Sequence, residues 1–263
     1  MNRTWQLTDI EFVVLWRDAV ERRLPAPFVY TSRVTTSQEA DRAFALARGR
    51  LRDIADPFLG DVVRAMAQPD IRMVVRGWET YDLEDPTAWT RLLAVRQADR
   101  AYLVTQLPGE TVAHSGGFTV TECHVLELAA AVVARLPEAT AGRGPDVVLP
   151  AAPDVDLDYE FGQSEVRESH DEPHWGGRVE EFLTAPPTGF GKIEISQGRS
   201  RFGPRGVVGR TLGWRDVVED GRYLLVPDNP PMVIGVDCER LTGRLNFEIA
   251  AVVRAIKDER SRL

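Results

Sequence analysis

Cysteine and long apolar runs are scarce in this chain. Its 263 residues include two cysteines, Cys123 and Cys238, which lie far apart and form no CxxC pair. A disulfide scaffold is therefore not indicated, and we expect a reducing compartment. No run of about 18 apolar residues occurs, so no membrane insertion is expected. Because the first residues contain no apolar stretch typical of a signal peptide, we expect a cytoplasmic protein.

Basic charge is also in short supply. Lysine and arginine together number 32 against 40 aspartates and glutamates, which gives a net charge of −8. Proteins that bind nucleic acids need a basic surface to neutralise phosphates, so a nucleic-acid partner is not expected. Hydrophobic residues make up 43% and charged residues 27% of the chain. This mixture is ordinary for a folded protein with a sizeable core.

Histidines, the residues most used in catalysis and metal binding, number four. His170 and His174 lie four residues apart in the acidic stretch 154–174, which we interpret as a solvated segment. A zinc protease places two such histidines on one unbroken helix. Here Pro173 lies between the two histidines and would interrupt such a helix. We therefore predict no catalytic residue, no metal site and no cofactor. A small hydrolase-like or metal-dependent enzyme built around these histidines remains the alternative.

Periodicity divides the chain into helical and extended segments. Apolar spacing predicts helices near 8–22, 37–54, 58–67, 121–136, 179–183 and 241–256. β-Branched and aromatic runs predict strands near 28–33, 71–78, 89–95, 101–106, 111–115, 192–197, 207–214, 222–226 and 233–236. We predict one compact unit with an N-terminal subdomain over 1–140, a linker over 141–160 and a C-terminal subdomain over 161–263. The fold class is therefore α+β.

The second half of the chain resembles the first at a shift of 121 residues (223 minus 102). The matching pairs are Tyr102 with Tyr223, Leu103 with Leu224, and Glu127 with Glu248. This spacing predicts a quasi-twofold repeat whose strands join in one central, mostly antiparallel β-sheet. The simpler alternative to a repeat is that the two matching helices are both rich in alanine because each needs small residues where it packs.

A basic, glycine-rich segment lies between two predicted strands. Gly198–Gly206 contains three arginines and Phe202 but no acidic residue. RNA binding would require more stacking aromatics beside these arginines. A flexible hairpin tip is the simplest interpretation, and a protein-binding loop is the functional one that we favour.

Two segments carry a resemblance to a known family. Leu7–Trp16 (LTDIEFVVLW) resembles the opening of the EspG proteins associated with ESX secretion, and Arg210–Leu224 (RTLGWRDVVEDGRYL) resembles their second signature. The acidic stretch 154–174 departs from the more helical connection of that family. The resemblance implies a quasi-twofold α+β fold with a helical bundle from each half. It also implies a cytosolic chaperone of type VII secretion that binds PE–PPE heterodimers at the hydrophobic PPE tip.

The resemblance places the client on the sheet and the C-terminal bundle. Arg210, Leu212 and Trp214 alternate along one predicted strand, and tryptophan and arginine often dominate binding energy. The predicted partner-binding residues are Arg210, Leu212, Trp214, Arg222, Trp89, Arg91, Val179, Leu183, Arg240 and Arg244. We expect the free protein to be a monomer or a weak homodimer. A structural subunit of a larger complex is the third possibility.

Overall fold

The computed structural model describes residues 3–20, 23–54, 56–79, 82–149, 182 and 184–261. Its five helices in these ranges are α1 (Asp9–Val20), α2 (Ser37–Ile54), α3 (Phe58–Ala67), α4 (Leu128–Val133) and α5 (Cys238–Ser261). The strands are β1 (Thr4–Leu7), β2 (Ile71–Trp78), β3 (Trp89–Gln97), β4 (Arg100–Pro108), β5 (Ser115–Cys123), β6 (Val147–Val148), β7 (Pro187–Gln197), β8 (Gly209–Val217), β9 (Gly221–Val226) and β10 (Met232–Gly235).

The strands form a single ten-stranded sheet in the order β1-β5-β4-β3-β2-β7-β8-β9-β10-β6. Every pair of neighbouring strands is antiparallel. β2 and β7 pair along their length at the centre, from Ile71 opposite Gln197 to Trp78 opposite Phe190. From this central pair, β2 to β5 run outward in chain order on one side and β7 to β10 on the other. The predicted central antiparallel sheet is therefore confirmed.

Helices α4 and α5 cover one face of the sheet, which we call the α4/α5 face. Its core takes alternate residues of the central strands, since successive side chains of a strand point to opposite faces. Leu241, Leu245 and Val252 of α5 are buried there, at the helical spacing that the sequence predicts. Ile193, Ile195 and thirteen other strand residues fill the sheet side of this core: Ile71, Met73, Val75, Leu92, Ala94, Ala101, Leu103, Cys123, Leu212, Trp214, Leu224, Val226 and Ile234.

Helices α1 and α3 pack on the opposite face, which we call the α1/α3 face. Thr8 begins α1 with a reciprocal cap: the Glu11 amide donates to Thr8 Oγ1 (3.3 Å), and the Thr8 amide donates to Glu11 Oε2 (2.9 Å). Phe12 of α1 stacks on Phe118 of β5 with ring centroids 3.9 Å apart. Residues of α3 complete this core against β3 and β4.

Several predicted boundaries are wrong. Residues 28–33 form no strand, although Phe28 is buried against Phe12 and Phe118. Residues 111–114 form a turn, and the strand predicted near 111–115 begins instead at Ser115. The predicted helix 121–136 is mostly not helical, because residues 121–123 end β5 and α4 spans only Leu128–Val133. Short edge strands β1 and β6 were not predicted, since isolated extended segments of two to four residues carry little periodicity.

The quasi-twofold repeat stays a prediction. Tyr102 and Tyr223 both lie on the third strand from the centre of their side, β4 and β9. Leu92 of β3, however, faces the α4/α5 core. Its match at the same shift is Gly213, which follows the core residue Leu212 and therefore lies on the opposite face of the sheet. α4 also has 6 residues against 24 in α5. One constant shift therefore does not describe both halves.

Some sequence predictions concern residues outside the described ranges. These are Val179, Leu183, the histidine pair His170 and His174, and the acidic stretch 154–174. Of the predicted linker, residues 141–149 are described, and they run beside the sheet: the Gly142 amide donates to the Arg222 carbonyl (2.9 Å), and β6 pairs with β10. The subdomain boundaries stay a prediction.

Candidate interaction surface

Two of the predicted contact residues are buried in the α4/α5 core. Leu212 and Trp214 share one face of β8, as their alternation predicts, and expose 0% and 3% of their surface. The Trp214 ring lies across the neighbouring strands. A Cβ atom at Gly191 or Gly77 would come within 2.1 or 2.3 Å of that ring. Both glycines therefore make room for the indole, and in this structure Leu212 and Trp214 hold the fold rather than offer a surface.

Arg222, another predicted contact, is also buried. Its guanidinium donates two hydrogen bonds to Asp216, from Nε and from Nη2, each 2.7 Å long. Nη2 also donates to the Pro137 carbonyl at 3.0 Å. Asp216 and Arg222 are 7% and 3% exposed, so this is an ion pair removed from water. The residue joins β8, β9 and the segment after α4, and it is not available to a partner in this arrangement.

Three further predicted arginines belong to the α4/α5 face. Arg240 and Arg244 lie on α5, and Arg210 lies on β8. Arg244 donates to Asp228 (2.6 Å) and Glu248 (2.5 Å), while Arg210 lies 3.7 Å from Glu248. Arg240 donates to the Gly235 carbonyl and to Asp146. Arg210 and Arg240 keep about half of their side chains exposed, 47% and 49%. They can reach a partner, although each already has an ion-pair partner within the chain.

The remaining two predicted residues, Trp89 and Arg91, belong to a different surface. They lie on the α1/α3 face, because they alternate with Leu93, which is buried in the core under α1 and α3. Trp89 stands opposite Trp78 of β2, and Trp78 stands opposite Phe190 of β7. Trp78 stacks on Trp89 at 5.2 Å and meets Phe190 edge-on at 4.1 Å. Three half-buried aromatic rings thus form one row across the centre of the sheet.

A row of cations lies beside this aromatic row on the same face. Arg76 of β2 stands directly between Arg91 of β3 and Lys192 of β7. The Arg91 guanidinium lies 4.9 Å from the Trp89 ring centroid and donates to the Val112 carbonyl at 2.8 Å. Because Arg91 is 9% exposed, it contributes its charge from within the fold. We call the two rows together the central strip, composed of Trp78, Trp89, Phe190, Arg76, Arg91 and Lys192.

Burial and like charge act on two cations of this face, Arg91 and Arg72. Burial lowers the pKa of Arg91, and the nearby Arg76 charge lowers it further. Burial likewise lowers the pKa of Arg72, on the same face of β2, against the opposing effect of Glu194. Both shifts mean that the cations are poorly solvated or crowded by like charge. Within the cationic row, Lys192 pairs with Glu194 at 3.2 Å, and Arg76 is the cation that is exposed to a carboxylate from a partner.

The strip therefore offers a half-buried aromatic platform with cations on one side and, on the other, the connection 79–88, which contains four acidic residues. Sequence reasoning missed Arg76, Trp78, Phe190 and Lys192. Strand alternation could have grouped Arg76 with Trp78, but only the register of three strands reveals the rows. Within the described ranges, no three His, Cys, Asp or Glu side chains converge as metal ligands, and no helix is long and apolar enough to cross a membrane.

Comparisons with known proteins agree with this architecture. The chain is similar over its whole length to the solved structure of the Mycobacterium tuberculosis type VII secretion system chaperone EspG5 in complex with the PE25–PPE41 dimer. The TM-score is 0.56 at 10% sequence identity, over 97% of this chain and 96% of that one. No curated protein sequence matches the chain. The model of the EspG family matches residues 8–246, and the chain therefore belongs to the EspG family.

Proposed function

We propose that this protein is a chaperone of a type VII secretion system that binds PE–PPE heterodimers in the cytoplasm. The fold shared with EspG5 across nearly the whole of both chains carries this proposal, because EspG5 was solved bound to a PE–PPE dimer. A client with an exposed apolar tip aggregates unless another protein covers that tip. Covering it, and directing the client to the secretion machinery, requires a binding surface and no catalytic group.

The central strip is the surface best suited to this client. Its aromatic row supplies apolar area, and its cationic row can orient a polar or acidic group beside the tip. Arg76 is exposed, and Trp78, Trp89 and Phe190 are partly exposed. Of the residues expected from the sequence, Trp89 stays in the proposed site, whereas Arg91, Leu212, Trp214 and Arg222 are buried and act from within the fold.

A charge reversal in the cationic row should abolish most client capture. We expect Arg76→Glu to weaken binding of a PE–PPE heterodimer from the same genome by about 2 kcal/mol, roughly 30-fold. The new carboxylate would repel acidic client groups and would pair with Arg91 and Lys192 instead. The measurement is co-expression with the heterodimer followed by pull-down and by titration of the purified components.

Two further variants make this experiment decisive. Arg42→Glu changes the same charge at an exposed position of α2 and should capture the client as the parent protein does. Arg210→Glu tests the α4/α5 face with the same substitution. Undiminished capture by a folded Arg76→Glu protein, with loss in Arg210→Glu, would move the client to the α4/α5 face. Failure of the parent protein to capture any PE–PPE pair would contradict the chaperone function itself.

A further inference from the structure

The hairpin that connects β7 to β8 presents an aromatic ring amid arginines. Phe202 is 64% exposed at its tip, and Arg199, Arg201 and Arg205 are exposed around it. The segment Gly198–Gly206 contains no acidic residue, although the whole chain carries a net charge of −8. We call these four side chains the basic tip. Of the three arginines, Arg201 also donates to the Glu259 carbonyl near the end of α5 (3.3 Å), whereas Arg199 and Arg205 are exposed.

The C-terminal helix holds the basic tip in one conformation. Glu259 of α5 accepts hydrogen bonds from Gln197 Nε2 (2.7 Å), Ser200 Oγ (3.1 Å) and the Arg201 amide. Ser200 Oγ in turn accepts from the Phe202 amide at 3.1 Å. These bonds fix the backbone on both sides of Arg201 to the end of the helix. An ordered loop loses less conformational entropy when it binds, so the exposed ring is preorganised for contact.

The opposite end of the sheet has the opposite charge. The connection from β2 to β3, residues 79–88, contains four acidic residues and no basic one. Beside it lies a cleft of about 420 Å³ whose lining includes Glu138, Glu219 and Asp220. The two ends of the central strands therefore attract partners of opposite sign. The basic tip also lies about 23 Å along β7 from Phe190 of the central strip, given the rise of an extended strand.

From this geometry we infer that the basic tip is a second interaction site, which docks onto an acidic surface of another protein while the client occupies the central strip. Phe202 enters an apolar notch on that surface, and the surrounding arginines pair with carboxylates at its border. A protein suits the tip better than a lipid surface does. The Arg201 guanidinium lies 5.9 Å from the Phe202 ring centroid, so inserting this ring into hydrocarbon would desolvate the cation. One aromatic ring is also too few for a stacking platform on nucleic acid.

The test uses a random peptide library displayed on phage. The library is first depleted on the Phe202→Ser/Arg205→Glu double variant and then selected on the parent protein. We expect the retained peptides to combine acidic side chains with an apolar residue. Synthetic copies should bind the parent at least about tenfold more tightly than the double variant, with affinity that falls as salt rises above about 0.1 M. Arg42→Glu should bind them like the parent.

Capture of the PE–PPE client by the double variant should equal that of the parent, which separates this site from the proposed client site. The inference is overturned if the selected peptides are not acidic or bind both proteins equally. Tip-dependent pelleting with phosphatidylserine vesicles would assign the tip to a membrane instead, and tip-dependent binding of a single-stranded oligonucleotide would assign it to nucleic acid. Self-association that disappears in the double variant would identify a second copy of this chain as the occupant.

Discussion

Replacing Asp216 with alanine should destabilise the fold by about 3–5 kcal/mol, a large part of the stability of a typical domain. Arg222 would then be left as a buried cation, 3% exposed, with the Pro137 carbonyl as its remaining hydrogen-bond acceptor. The loss should appear as a lower midpoint of urea unfolding followed by circular dichroism, at an unchanged slope.

The matched control removes both charges. The double variant Asp216→Leu/Arg222→Met leaves no buried charge and should recover most of the lost stability, because the desolvation of both ions is also avoided. The exposed pair of Arg48 and Asp18 on α2 and α1 provides a second comparison, and Asp18→Ala should cost at most about 1 kcal/mol. If Asp216→Ala costs no more than Asp18→Ala, the pair is not buried as the structure shows.

Truncating Trp214 to alanine should cost about 3–5 kcal/mol, because a large ring leaves a fully packed core. The indole lies over Gly77 and Gly191, where the surrounding strands cannot close the space it vacates. Trp89→Ala, which removes the same side chain from the half-buried aromatic row, should cost clearly less. Urea unfolding of both variants measures the difference.

The two glycines give an independent test of the same packing. Gly77→Ala should destabilise the fold on its own, since its Cβ would lie 2.3 Å from the Trp214 ring. Combined with Trp214→Leu, the same substitution should cost far less, because the smaller side chain leaves room for the methyl group. Gly191→Ala should not be rescued in this way, because its Cβ would also lie 2.4 Å from the Arg76 carbonyl oxygen. Purely additive effects of Gly77→Ala and Trp214→Leu would mean that the ring does not contact Gly77.

Strand alternation predicted which residues of β8 share a face, but it did not predict whether that face meets solvent or the core. Arg210, Leu212 and Trp214 share one face, as expected from period two. Whether that face meets solvent or core depends on Gly77 and Gly191, which belong to other strands and leave space for an indole. β-Branched residues likewise predicted β2, β3 and β4 correctly, whereas the Gly116–Gly117 pair at the start of β5 obscured a strand that lacks a continuous β-branched run.

The central strip could not have been derived from the sequence in the same way. Its aromatic row combines residues 78, 89 and 190, and the third comes from a strand more than one hundred residues after the first. Only the register between β2 and β7 aligns Phe190 with Trp78, and register depends on the packing of the whole sheet. The basic tip, by contrast, is contiguous in sequence, so its composition could be read directly from the sequence. The hydrogen bonds by which Glu259 orders it could not be predicted, because Glu259 lies more than fifty residues away along the chain.

The pairing of β2 with β7 also has a consequence during synthesis of the chain. β2 ends at Trp78, and its partner is complete only at Gln197, 119 residues later (197 minus 78). At about 5–20 residues per second, a ribosome needs roughly 6–24 s to deliver that partner. Throughout this interval the inner edge of β2 is an unpaired strand that another nascent chain could join. Arg72 and Arg76, which lie along this edge, would discourage such pairing by charge repulsion until the second half arrives.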